Sequence, residues 1–173
     1  MYRGWALAQQ GQEEEGIAQI RQGLAASRAT GARVGWSYWL ALLAEVYGKA
    51  GQVEEGLPLL AEALPVVDKT GERFYEAELY RLKGELTLQS SAQSPESKVK
   101  AAEGCFQKAI EVARQQQAKS LELRAVMSLS RLWQRQGKKD EAHRVLAEIY
   151  GWFTEGFDTK DLQEAKMLLQ ELH

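Results

Sequence analysis

The sequence predicts an all-α solenoid: antiparallel helix pairs stacked in a row and closed at the C-terminal end by one further helix. Three observations predict it. The 173 residues are rich in Ala, Leu, Glu, Gln, Lys and Arg and hold only 3 prolines, which favours helix over strand throughout. A short pattern returns at a fixed long spacing, which is the signature of a repeat architecture. Between recurrences the apolar residues follow the helical period rather than alternating.

The recurring pattern is a glycine, an acidic pair, a small residue and then apolar residues four, seven and eight positions on. It reads Gly11-Gln12-Glu13-Glu14-Glu15-Gly16 with Ile20, Gly23 and Leu24. It returns as Gly51-Gln52-Val53-Glu54-Glu55-Gly56 with Leu60, Ala63 and Leu64, and as Gly137-Lys138-Lys139-Asp140-Glu141-Ala142 with Leu146, Ile149 and Tyr150. A further copy keeps only the tail, Ala102 with Phe106, Ala109 and Ile110. Gly16 to Gly56 and Ala102 to Ala142 are 40 residues each, whereas Gly56 to Ala102 is 46. A second marker agrees: Thr30-Gly31-Ala32-Arg33 and Thr70-Gly71-Glu72-Arg73 are 40 apart, and Gln116-Gln117-Ala118-Lys119 follows 46 later. Both excesses of six trace to one insertion near Ser90–Pro95, where Ser94 suits a helix cap and Pro95 the first helical turn.

Each unit reads as two helices. Residues 36, 39, 40, 43, 46, 47 and 50 form one apolar stripe, and Gly51 ends that helix. Glu54 and Glu55 open the next at its positive dipole end, and Gly71 stops it after about Thr70. Pro58 and Pro65 fall inside this second helix, so a bend is expected. Gly16, Gly56, Ala102 and Ala142 are the places where paired helices cross closely. The units come out at about 1–31, 32–71, 72–117 and 118–150, followed by a linker 151–158 and a capping helix 159–172 with Asp158 as its cap. Met1-Tyr2-Arg3-Gly4-Trp5 reads as the middle of a helix, so the first unit is expected to be truncated from a longer chain. The uncapped N-terminal end is then a candidate surface for self-association.

The ladder resembles the tetratricopeptide repeat. The match is best in Leu43-Ala44-x2-Tyr47 and Leu129-Ser130-x2-Trp133, where that family has Leu-Gly-x2-Tyr. The unit here is longer than the family's roughly 34 residues, the family's Trp is missing from the start of the pattern, and so is its terminal Pro. Further details resemble the C-terminal repeat region of large bacterial signalling ATPases, many of them with a class III adenylate/guanylate cyclase domain. These are Lys83-Gly84-Glu85-Leu86, Ala102-Glu103-Gly104-Cys105-Phe106, Ala118-Lys119-Ser120-Leu121-Glu122-Leu123-Arg124-Ala125, and Tyr150-Gly151-Trp152-Phe153-Thr154-Glu155-Gly156-Phe157-Asp158-Thr159. The resemblance implies a scaffold without catalysis of its own, binding a protein, a peptide or other domains of the same parent chain. It places no nucleotide site here: no Gly-x4-Gly-Lys-Ser/Thr loop occurs, and no cofactor or metal is expected.

In such a stack the first helix of each unit lines the inner face. The repeat register puts Tyr38, Ala41, Glu45 and Lys49 there, then Glu78, Arg81 and Glu85, then Arg124, Met127, Arg131 and Arg135. The three arginines, 7 and 4 residues apart, share one helix face and suit an acidic peptide or a carboxylate. The plainer account pairs them with Glu122 or Glu85 as ordinary surface charges. A peptide-carboxylate clamp of the Lys-Asn kind known among tetratricopeptide proteins is excluded, because the chain contains no Asn. The same arginine row motivates an alternative, a helical-repeat nucleic-acid binder, which a net charge of -2 argues against.

Trp5, Trp36, Trp39 and Trp133 are expected in the packing between helices, and Trp152, Phe153 and Phe157 against the end of the stack. His143 has no second imidazole near it in sequence, and Cys105, next to Phe106, is expected buried. With one cysteine no intrachain disulfide forms, which fits a reducing, cytoplasmic setting. No apolar run approaches the length of a membrane span.

Overall fold

The computed structural model describes residues 1–31 and 34–173. Ala32 and Arg33, part of the second repeat marker, lie outside the described residues. Among those described there are nine α-helices and no strand. They are α1 (Tyr2–Gln9), α2 (Glu13–Ala29), α3 (Trp36–Lys49), α4 (Val53–Thr70), α5 (Glu76–Gln89), α6 (Pro95–Gln115), α7 (Lys119–Arg135), α8 (Lys139–Tyr150) and α9 (Lys160–Glu171).

Each odd helix from α1 to α7 packs against the even helix after it, and α9 rests on both α7 and α8. The odd helices also touch one another in sequence, α1 to α3, α3 to α5, α5 to α7 and α7 to α9. The even helices pack on one another far less, α2 reaching α4 through the exposed Arg28–Glu62 pair at 3.4 Å. A row in contact on one side and splayed on the other curves toward the contacting side, so the odd helices form the inner wall.

The tight links follow from backbone geometry. After α3, Gly51 adopts a left-handed φ of 71°, and the Gln52 N–H donates to the Tyr47 carbonyl at 2.8 Å, which satisfies a carbonyl the helix end would otherwise leave open. The same closure recurs at Gly11 and Gly137. At the end of α6 it recurs once more with Gln117 in the left-handed position, where the equivalent residue of an earlier unit is Gly71. Before α6, Ser94 accepts a hydrogen bond from the Ser97 N–H and Pro95 takes the first turn, as expected. α4 runs through both Pro58 and Pro65, which lie on its exposed face.

The crossing points are as tight as the sequence implies. A Cβ on Gly16 would sit 2.6 Å from the Gly4 carbonyl, and one on Gly56 would sit 2.8 Å from a methyl of Leu86. Ala102 and Ala142 are fully buried. The apolar interior is divided. One large core runs from α1 to α5, centred on Ile20, Val46, Leu60 and Leu79. Another joins α7, α8 and α9 through Leu123, Leu146 and Leu168. Between them lie two small clusters on α6, around Phe106 and around Val112 and Ala113.

Several local expectations need correcting. Asp158 does not cap α9. Thr159 stands at the cap, with its hydroxyl donating to the Gly156 carbonyl, and Asp158 contributes only its carbonyl, to Gln163. Cys105 is only partly buried, because it lies one position round the helix from the fully buried Phe106. His143 has an imidazole neighbour after all: the chain end brings the ring of His173 to 4.5 Å, a contact invisible at a sequence separation of 30. Phe153 packs against the C-terminal core, but Trp152 and Phe157 are largely exposed.

Candidate functional site

The inner wall encloses a groove of about 450 Å³ that touches all five odd helices. Trp5 and Gln9 come from α1, Glu45 and Lys49 from α3, and Arg81 from α5. Arg124, Met127, Ser128 and Arg131 come from α7, and Lys160, Asp161 and Glu164 from α9. Inner-face positions recur once per unit, so the stack brings residues distant in sequence onto one line.

The line is held together by polar contacts that cross from unit to unit. Glu45 accepts from Trp5 Nε1 at 3.3 Å and pairs with Lys49 at 3.2 Å, and Lys49 bonds Gln9. On α5, Arg81 forks onto Glu78, with Nη2 to Oε1 at 2.7 Å and Nε to Oε2 at 2.9 Å. Its third nitrogen donates to Ser128 Oγ at 3.4 Å, and that hydroxyl donates onward to Glu85 at 2.6 Å. Arg124 reaches the same Glu78 at 3.0 Å and lies 3.8 Å from Asp161. Arg131 bonds Glu164 at 3.0 Å, and Lys160 stands 3.7 Å from that carboxylate. Burial alone would lower the pKa of Arg81, but Glu78 and then Glu85 outweigh it and hold the guanidinium above the ordinary arginine value, permanently charged.

The fate of each expected residue is now clear. Glu45, Lys49, Arg81, Arg124, Met127 and Arg131 line the groove together. Glu78 lies buried behind it and Glu85 beside it, both holding arginines in place. Ala41 is fully buried. Tyr38 turns away into a group of aromatic rings, where burial and then Tyr2 raise its pKa. Arg135 is exposed at the end of α7, bonded to no carboxylate among the described residues. Arg124 and Arg131 are paired, but not with the partners expected. Glu122 is occupied by Arg114 and Lys119 at 2.7 Å each, and Glu85 serves Arg81 and Ser128. The actual partners sit on α5 and α9.

Sequence reasoning missed Trp5, Gln9, Ser128 and the three α9 residues. The first two were within reach: Trp5 and Glu45, and Gln9 and Lys49, are each 40 residues apart, the repeat length itself. Glu164 likewise stands 40 residues after Arg124, whereas Lys160 and Asp161 match no inner-face position expected from the earlier units. Five cations (Lys49, Arg81, Arg124, Arg131, Lys160) meet five carboxylates (Glu45, Glu78, Glu85, Asp161, Glu164) in and behind this groove. Such a surface suits a ligand carrying both charges. Among the described residues no group of three His, Cys, Asp or Glu is arranged to hold a metal ion, and no helix is long and apolar enough to cross a membrane.

No protein-family model matches the chain. Over 132 residues it is 30% identical to an uncharacterized protein of Rhizobium meliloti (strain 1021), a stretch that is 76% of this chain but only 12% of that protein. Two solved structures from Podosopora anserina, described as a kinesin light chain with nearly identical TPR-like repeats and a point variant of it, superpose closely. Their TM-scores are 0.69 and 0.71, at 18% and 16% identity, over 99% of this chain and 82% of theirs. At that identity the likeness establishes the fold alone: the chain is a TPR-like helical solenoid.

Proposed function

We propose that the chain is a protein- or peptide-binding module of a larger bacterial signalling protein of the ATPase or nucleotide-cyclase type, and that its ligand lies along the inner groove. The observation that carries the binding role is the groove itself, continuous across five helices and lined by charges of both signs. An extended segment of mixed charge exchanges the partly exposed pairs, Lys49–Glu45 and Arg131–Glu164, for pairs with itself. The signalling parent rests on the sequence resemblance and on the length of the Rhizobium meliloti relative, of which this chain spans a small part.

The binding role is tested by selecting displayed peptides on the purified chain, with Lys49→Glu and Arg131→Glu as paired variants. Peptides of mixed charge are expected, with binding weakened about tenfold or more by either charge reversal, or roughly 1.4 kcal/mol. Selection of nothing, or of peptides indifferent to both reversals, counts against the groove. The signalling parent is tested by the reading frame that precedes the chain: a class III cyclase or a phosphate-loop ATPase is expected there, and an unrelated enzyme or adhesin would remove that part of the proposal.

A further inference from the structure

On the outer side of the stack, away from the inner groove, the even helices leave apolar floor open between them. One outer groove, of about 210 Å³, lies between α2 and α4 over α3, and another, of about 450 Å³, lies between α6 and α8 over α7. They are the same site twice. Leu24 and Ile110, Leu43 and Leu129, and Leu59 and Val145 line them in pairs, and each pair is 86 residues apart, one 40-residue step and the 46-residue step together. The rim repeats as well, with Arg28 at the mouth of the first and Arg114 at the mouth of the second, again 86 apart.

The unit between them shows what such a groove accepts. Leu40 and Val126 form part of the two floors, and the residue at the same repeat position in the intervening unit is Tyr80. Burial, then the Glu76 carboxylate, raises the Tyr80 pKa, and Lys108 and Cys105 of α6 and Asp68 of α4 act on it too, so the side chain stands between α4 and α6. Its ring packs beside Val112 and Ala113. The chain thus fills the middle position with an aromatic ring of its own and leaves the outer two with the smaller Leu40 and Val126. The rim arginines are already paired, Arg28 with Glu62 and Arg114 with Glu122. An occupant is therefore selected by shape and apolar contact rather than by charge.

We infer that the outer face docks a segment of a partner protein through two aromatic side chains of that segment, one in each groove. Leu59, Ile110 and Val145 are only half-buried on the groove walls, so apolar surface remains for a ring to cover. Two repeat steps of roughly 10 Å set the grooves roughly 20 Å apart, and further on the splayed outer side. A single ring holds weakly in so shallow a site. Two rings on one segment bind together, because the first holds the second at high effective concentration beside its own groove.

Rigid synthetic peptides serve as probes. The long probe carries a tyrosine at each end of a hexaproline spacer, which holds the two roughly 22 Å apart. A short probe has a diproline spacer, and a control has alanines on the hexaproline. Each is titrated into the purified chain while the methyl resonances of Leu59 and Val145 are followed. The long probe is expected to move both sets and to bind about tenfold or more tightly than the short one. Leu59→Lys is expected to weaken the long probe about tenfold while the Val145 methyls still move, and Val145→Lys the reverse. The intact groove and the thermal midpoint of each variant report that it is folded. No movement, equal movement with the alanine control, or affinity untouched by both variants would overturn the inference. So would equal affinity for the long and short probes, which would leave two unrelated pockets. Movement on raising protein concentration alone would overturn it too, and make the grooves a self-association surface.

Discussion

Arg124 on α7 meets Glu78 on α5 at 3.0 Å, and the two stand at the same position of successive units, 46 residues apart. Glu78 is 1% exposed and also takes the fork of Arg81, so one buried carboxylate ties two units together. A buried anion with two cationic partners is stable only as a set, because removing the anion strands positive charge in a poorly solvated place.

Glu78→Gln is therefore expected to cost about 3 kcal/mol, read as a fall in the urea midpoint with unchanged slope. Arg124→Gln is expected to cost about 1 kcal/mol, because Arg124 is partly exposed and Glu78 keeps Arg81. Equal losses for the two would mean that Arg81 contributes nothing to holding Glu78.

Gly16 and Gly104 make opposite predictions for one substitution. Gly16→Ala pushes a methyl into the Gly4 carbonyl and the Ala8 side chain and is expected to cost about 2 kcal/mol. Gly104 lies on the open face of α6 with nothing near its missing Cβ, so Gly104→Ala is expected to gain about 0.5–1 kcal/mol from helix propensity. Thermal melts of both variants decide the matter.

Gln117 occupies a left-handed conformation, φ 55°, that side chains other than glycine adopt at a cost. Gln117→Gly is expected to raise stability by about 0.5–1 kcal/mol, the relief of strain exceeding the added freedom of the unfolded chain. A lower melting temperature for this variant would show that the Gln117 side chain holds the turn.

Glu122 sets part of the acid limit. Burial pushes its pKa up, but hydrogen bonds and charge from Arg114 and Lys119 outweigh this and hold it below the ordinary 4.5. The unfolded chain thus binds this proton more readily than the folded one. The resulting stability is present above about pH 4.5 and is lost as pH falls through the lower folded value. Glu122→Gln is expected to cost about 1–2 kcal/mol at pH 7, discounted for the exposure of Arg114 and Lys119, and less at pH 3. Paired urea titrations at the two pH values measure the difference.

The solenoid was legible because its determinants are local or periodic. Gly51 and Gly71 stop helices by backbone geometry, Ser94 and Pro95 start one, and Gly16 and Gly56 mark crossings that admit no side chain. The inner-face register was legible for the same reason, and placed Glu45, Arg81 and Arg131 on one wall. Pairing was not. Arg131 finds Glu164 across 33 residues, off the repeat length, and His143 finds His173 across 30. Such contacts depend on where α9 docks, which no period encodes. Asp158 and Thr159 stand next to each other at a helix start, and composition alone favours either as a cap.

The divided interior has a mechanical meaning. Force applied to the two ends is carried in series through the α1–α5 core, the thin seams on α6 and the α7–α9 core. Links in series yield one at a time, weakest first. Stretched in an optical trap, the chain should extend in separate steps, one core giving way while the other still holds its shape.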